Sequence, residues 1–191
     1  MNLIGITGTI GSGKTTIADK LRSLGLVVFD IDGWVKRLYN RKNFLNIIKK
    51  EFPNTFKDGV FNKRELRNTV FNNKKELEKL EEIIHPILNT ALKRKIKKIS
   101  KFDDIFFIDT PLLFEMEWDK YCHHIILADV DYEVAKVRVM KRDNISAEDF
   151  EKIYDKQIKN IDKEHLADII VNTDMPKNVL KAKLIKVLEK L

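Results

Sequence analysis

With 191 residues and 43% hydrophobic content, the chain is long enough for a sizeable core and too apolar to be a disordered segment. A lone cysteine, Cys122, excludes a disulfide framework or a cysteine metal cluster, and no apolar run is long enough to cross a membrane. The net charge of +7 and pI near 9.3 admit either a nucleic-acid partner or a highly phosphorylated small substrate. Lysine-rich stretches such as Lys93-Arg94-Lys95-Ile96-Lys97-Lys98 alternate basic and apolar positions, the pattern of a solvated helix face rather than a nucleic-acid groove. The chain enters an apolar strand, Asn2-Leu-Ile-Gly-Ile-Thr7, almost at once, which leaves no room for a signal peptide and suits a cytoplasmic location.

That strand runs into Gly8-Thr9-Ile10-Gly11-Ser12-Gly13-Lys14-Thr15, which fits G-x-x-x-x-G-K-[ST], and then into a helix with apolar positions at 17, 18 and 21. Strand, glycine loop and helix stand in the order needed to cradle a triphosphate. The glycines let backbone N–H groups turn inward, and the helix aims its positive end at the same point. Lys14 is expected to reach the β- and γ-phosphates and Thr15 to ligate Mg²⁺, with Thr16 beside it on the new helix. A second strand, residues 26–30, delivers Asp30-Ile31-Asp32 at its carboxyl end, where open α/β sheets bind ligands. If the chain stays extended, Asp30 and Asp32 share a side. Either one caps the next helix, leaving the other to orient an acceptor hydroxyl as a base; Asp32, further out, is the preferred base.

From Trp34 to about Lys101 the pattern is helical, with turns at Pro53-Asn54 and Lys57-Asp58-Gly59, and is too long for a plain crossover. This stretch reads as an insertion covering the acceptor. Its candidate contacts are Arg64, Arg67 and His85, the last placed at an expected helix break before Pro86. Ile105-Phe-Phe-Ile-Asp109 has the form of a buried parallel strand ending in a Walker-B-like acid, which either holds Mg²⁺ through water or hydrogen-bonds Thr15. Pro111-Leu112-Leu113-Phe114-Glu115 is too apolar for an exposed loop and is expected to pack beneath the acceptor. Glu115 is there either a substrate contact or a surface acid.

A fourth strand spans 124–128; His123 and His124 are adjacent, not at metal-ligand spacing. The following helix carries Arg138 and Arg142 on one face, placed to grip a triphosphate together. Ser146-x-x-Asp149 opens a further helix through Gln157 in the manner of a capping box, and residues 138–165 read as a lid. A last strand, 167–172, leads through a turn at Asn172, a candidate adenine contact, to a closing amphipathic helix from Lys177.

The set Ile6-Thr-Gly-Thr-Ile-Gly-Ser-Gly-Lys-Thr15, Asp30-Ile-Asp32, Asn62-Lys-Arg64-Glu-Leu66 with Val70-Phe71, Leu80-Glu81-x-Ile83-x-His85-Pro86, Asp109-Thr-Pro-Leu-Leu-Phe-Glu115, Arg138-Val-Met-Lys-Arg142-Asp143, Gln157 and Ala167-Asp168 with Asn172 closely resembles the dephospho-CoA kinase family over nearly the whole chain. The resemblance implies transfer of the ATP γ-phosphoryl to the 3′-hydroxyl of dephospho-CoA. Asp32 would be the base, Arg64, His85 and Glu115 would lie toward the acceptor with Pro111 and Leu112, and Mg²⁺ would accompany ATP. The sequence departs from the family at Thr9, where a second glycine is usual, at Lys152, at residues 162–166 and at Asp174.

The expected fold is therefore α/β: a P-loop kinase three-layer α/β/α with a five-stranded parallel sheet. Its core would comprise 1–33, 102–137 and 166–191, with a helical acceptor-binding insertion at 34–101 and a lid at 138–165. Expected partners are the small molecules ATP and dephospho-CoA, with no nucleic acid and no membrane, the protein being a monomer or weak homo-oligomer. Another small-molecule or nucleoside monophosphate kinase is the nearest rival, and a nucleotide switch or nucleic-acid-stimulated ATPase is the rival from a different class. The long insertion and the His85-Pro86 break speak against a compact kinase of the first sort. The arginine-bearing lid with the Asp30/Asp32 pair favours a transferase over a switch, which has no acceptor hydroxyl to activate.

Overall fold

The computed structural model describes residues 2–71, 73–99 and 105–191. The chain forms two compact units, Met1–Asp30 with Ile99–Leu191, and Ile31–Lys98. Residues 138–165 fall in the larger unit, and the end of the expected insertion, residues 100–101, lies outside the described residues.

The larger unit is built on strands β1 (Asn2–Thr7), β2 (Val27–Asp30), β5 (Ile105–Asp109), β6 (His124–Asp129) and β7 (Ile169–Asn172). They form one five-stranded sheet in the order β2-β5-β1-β6-β7, with every pairing parallel. The central strands are near-continuous apolar runs because helices cover both faces of such a sheet. On one face Ile4 and Ile6 pack with Ile17 and Leu21 of α1 (Lys14–Ser23) and with Leu180, Leu184 and Val187 of α9 (Lys177–Leu188). Each fully buried aliphatic side chain of this kind contributes about 1.5–3 kcal/mol. On the other face Gly5 makes room for the segment after β5: a Cβ there would lie 2.7 Å from Leu113 Cδ2. This is a three-layer α/β/α arrangement. The remaining helices of the unit, α6 (Tyr132–Asp143), α7 (Ala147–Tyr154) and the single turn α8 (Asn160–Lys163), lie between β6 and β7 in sequence. Ser146 caps α7 by accepting the Asp149 N–H at 3.1 Å, but the helix stops at Tyr154, before the expected Gln157.

The smaller unit contains α2 (Ile31–Leu38), α3 (Lys42–Glu51), a hairpin of β3 (Phe56–Lys57) and β4 (Val60–Phe61), α4 (Lys63–Phe71) and α5 (Lys74–Ile99, its last residue counted with the larger unit). Asp58 (φ 50°) and Gly59 (φ 78°) are both left-handed, as a two-residue hairpin turn requires. The unit's core joins Leu38, Phe44, Ile48, Phe52, Leu66, Val70 and Leu80, with Tyr39 stacked on Phe61 at 5.6 Å. The expected break at His85–Pro86 does not occur: α5 runs on for 26 residues with Pro86 inside it. Proline there forfeits one backbone hydrogen bond, and burial of Leu80 before it and of Leu88 and Leu92 after it outweighs that loss.

Candidate active site

The strand order puts β1 at the point where the chain switches direction across the sheet, the position where open α/β folds bind ligands beyond the strand ends. The loop from Gly8 to Gly13 leaves β1 there and winds into α1. At Gly13 the backbone is left-handed (φ 89°) and a Cβ would meet Thr173 Oγ1 at 2.6 Å, so only glycine fits. Thr9 is absent from the positive-φ residues, so a side chain there meets no left-handed backbone strain. Gly13 brings no side-chain cap to α1, so the first-turn amides, lacking intrahelical acceptors, face the loop's concavity with the positive end of the helix. Lys14 Nζ donates to the carbonyls of Gly8 (2.7 Å) and Thr9 (2.9 Å), which lays its ammonium along the cradle.

The outer edge of the loop is held by side chains that the sequence patterns did not single out as loop contacts. Asn160 Oδ1 accepts the Thr9 N–H at 2.9 Å and Gln157 Oε1 accepts the Ile10 N–H at 2.8 Å. Asn160 Nδ2 donates to Ala128 O (3.1 Å) and Asp129 Oδ1 (2.7 Å), which fixes the orientation of its carboxamide. Thr173 Oγ1 donates to Ser12 O at 2.7 Å and accepts from Arg138 Nη1 at 3.1 Å. Arg138 also reaches Asp174 Oδ1 at 3.2 Å, so one of the two arginines is joined to the loop through a threonine. Arg142 makes a two-pronged contact with its neighbour Asp143 at 2.8 and 2.7 Å. Asn172 Oδ1 accepts the Asp174 N–H at 2.8 Å, forming the turn after β7.

The acids divide between the units. Asp30 ends β2 and is the register partner of Asp109 on β5, so the two side chains leave neighbouring strands on the same face of the sheet. Asp32 lies in the first turn of α2, which begins at Ile31; the extended chain that would have kept Asp30 and Asp32 on one side ends at Asp30. Asp32, Arg64 on α4 and His85 within α5 belong to the smaller unit. After β5, Leu112 N donates to Thr110 Oγ1 (3.2 Å), and Pro111 O accepts from Lys163 Nζ at 3.1 Å. Glu115 Oε1 lies 3.5 Å from the same ammonium and accepts the Ile158 N–H at 3.4 Å. The Lys163 side chain is wholly buried, and that desolvation lowers its pKa, with Glu115 opposing the shift. His123 serves the sheet, its Nδ1 accepting the Leu3 N–H at 3.1 Å. Asp168 likewise grips the edge of β6, its Oδ2 accepting the Ile125 N–H at 2.7 Å, which accounts for the Ala-Asp pattern before β7. Among the described residues no group of three or more His, Cys, Asp or Glu is placed to hold a metal, and no helix is long and apolar enough to cross a membrane.

A glycine cradle at the head of α1, on the central strand of an all-parallel sheet with acids closing the neighbouring strands, defines a P-loop kinase. The family model for dephospho-CoA kinase matches residues 2–177. The chain is 37% identical over 175 residues to a dephospho-CoA kinase of Fusobacterium nucleatum, covering 90% of this chain and 89% of that one. Its fold superposes on the crystal structure of TT1252 from Thermus thermophilus with a TM-score of 0.86 and 32% identity, over 100% of this chain and 97% of the other. For a dephospho-CoA kinase from Campylobacter jejuni the TM-score is 0.72 at 25% identity, over 99% and 96% of the two chains. The chain belongs to the dephospho-CoA kinase family, whose members catalyse the ATP-dependent phosphorylation of dephospho-CoA to CoA.

Proposed function

We propose that this chain performs the family reaction by in-line transfer from a triphosphate in the 8–15 cradle, with Asp32 as base. The 3′-hydroxyl oxygen of dephospho-CoA attacks the γ-phosphorus, its proton passes to the Asp32 carboxylate, and the bond to the β–γ bridging oxygen breaks to release ADP. Lys14 and the amides at the head of α1 spread the charge of the transferred group, with Arg138 and Arg142 completing the shell. Arg64, His85 and the 111–115 segment serve the acceptor. A cavity of about 470 Å³ in the smaller unit, lined by Leu38, Arg41, Lys42, Phe44, Ile47 and Ile87, has the mixed apolar and cationic wall that a pantetheine diphosphate arm would need.

The donors near the cradle fit Mg²⁺. Asp109, at the end of β5, with the Thr15 hydroxyl offers hard oxygens only, in a number that leaves coordination positions for phosphate and water. Bound there, Mg²⁺ would neutralise the β- and γ-oxygens. We place the enzyme in the cytoplasm as a monomer or weak homo-oligomer with no nucleic-acid partner.

The observation that carries the reading is the cradle at the sheet's switch point beside the Asp30–Asp109 pair. The test is mass-spectrometric detection of CoA from ATP and dephospho-CoA. Asp32→Asn is expected to lower kcat by roughly a hundredfold or more with ATP affinity nearly kept. Unchanged turnover would move the base to Asp30, and faster phosphorylation of adenylate or thymidylate than of dephospho-CoA would overturn the substrate.

A further inference from the structure

The phosphate loop and the segment after β5 leave adjacent strands, and both are fastened to one turn of helix. Asn160, at the first position of α8, uses its carboxamide completely: Oδ1 on the Thr9 N–H, Nδ2 on Ala128 O and Asp129 Oδ1. Gln157, just before the turn, takes the next amide, that of Ile10. Three residues after Asn160, the Lys163 ammonium meets a different segment, Pro111 O and the Glu115 carboxylate, while the Ile158 N–H meets Glu115 from the same stretch. Asn160 is 8% exposed and Lys163 is fully buried. An ammonium is taken out of water only at substantial cost unless its bonds are made, so these contacts hold a defined geometry.

The Thr9 and Ile10 amides are therefore engaged by side chains, and the Ser12 N–H closes the loop on Thr9 O at 3.2 Å, so the front of the loop is held in one shape. Thr7 Oγ1, at the end of β1, also meets Pro111 O at 3.5 Å.

We propose that Asn160 and Lys163 are positioning residues for phosphoryl transfer, α8 acting as a strut that sets the donor cradle from one end and the acceptor-side segment 111–115 from the other. The proposal rests on the kinase reading above. Asn160 with Gln157 holds the front of the loop in that one shape. Lys163 holds the Pro111 carbonyl and Glu115, so that the wall on which dephospho-CoA rests keeps its distance from the cradle.

The two ends should then separate kinetically. Lys163→Met keeps the buried aliphatic stem and loses both polar contacts; it is expected to raise the KM for dephospho-CoA about tenfold and leave the KM for ATP within about twofold, the size expected for a lost buried hydrogen bond. Asn160→Ala is expected to do the reverse, and Lys163→Arg to recover part of the acceptor KM. Thermal midpoints are measured alongside. Should Lys163→Met fail to fold, Glu115→Gln, which touches a partly exposed side chain, is expected to raise the acceptor KM severalfold with ATP unaffected. Equal changes in both KM values for Lys163→Met, or losses in kcat that merely follow the folded fraction, would overturn the strut. No CoA formed by the unaltered protein would instead overturn the kinase reading, so the two failures are distinguishable.

Discussion

A lysine with no exposure must find acceptors for its ammonium, and Lys163 finds them in a proline carbonyl and a glutamate. Thr173 plays a comparable part for the phosphate loop, its hydroxyl donating to Ser12 O and accepting from Arg138, while its side chain fills the space that a Cβ on Gly13 would need. Neither residue announces itself by type, since lysines and threonines are common on surfaces. Cys122 gives a test at this scale. It packs near Gly5, its thiol donates to Trp118 O at 3.4 Å, and burial pushes its pKa up to about 12. Because the raised pKa favours the protonated form, its contribution to stability is complete below the ordinary thiol range and is lost as pH rises through about 9 to 12. At pH 8 the native thiol should react with a chromogenic disulfide at least a hundredfold more slowly than the same thiol in denaturant. Equal rates would show that the site is open to solvent.

Helix α5 illustrates how packing overrides local preference. A His-Pro pair favours a helix end, yet the apolar positions on both sides of Pro86 keep the helix going. The missing N–H at residue 86 leaves a gap in the backbone ladder, and the Pro86 ring is exposed. Pro86→Ala should restore that bond and stabilise the protein by about 1–3 kcal/mol, raising Tm by a few degrees in thermal unfolding. A lower Tm would mean that the ring, rather than the hydrogen bond, is what this helix needs. The short turn α8 shows the opposite relation. Four residues have negligible helical stability alone, so its form depends on the side-chain bonds of Asn160 and Lys163 to the rest of the larger unit.

For the whole molecule, the excess of positive charge suits two polyanionic substrates, ATP and dephospho-CoA, as well as it would suit nucleic acid. Ligation of the folded state predicts that ATP with Mg²⁺ at a hundred times its Kd stabilises the protein by about 2.7 kcal/mol, seen as a Tm rise of several degrees. Chelating the cation, or replacing Lys14 with Ala, should remove most of that shift. A shift of equal size from RNA, with none from ATP, would point to the nucleic-acid rival.

Periodicity and a few motifs were enough to read off the parallel sheet, its closing helix and the glycine cradle, because each depends on residues within one strand, loop or turn. The side-chain partners of the cradle were not legible in the same way: Asn160, Gln157 and Thr173 lie well over a hundred residues from the loop atoms they hold. The parting of Asp30 from Asp32 was hidden for another reason, since strand and helix compete for that short stretch and packing of Ile31 decides where the helix begins. Local sequence determined which backbone could bind a phosphate. Only tertiary structure decided what holds it, because hydrogen bonds between distant residues are set by the folded chain as a whole and leave no periodic trace in the sequence.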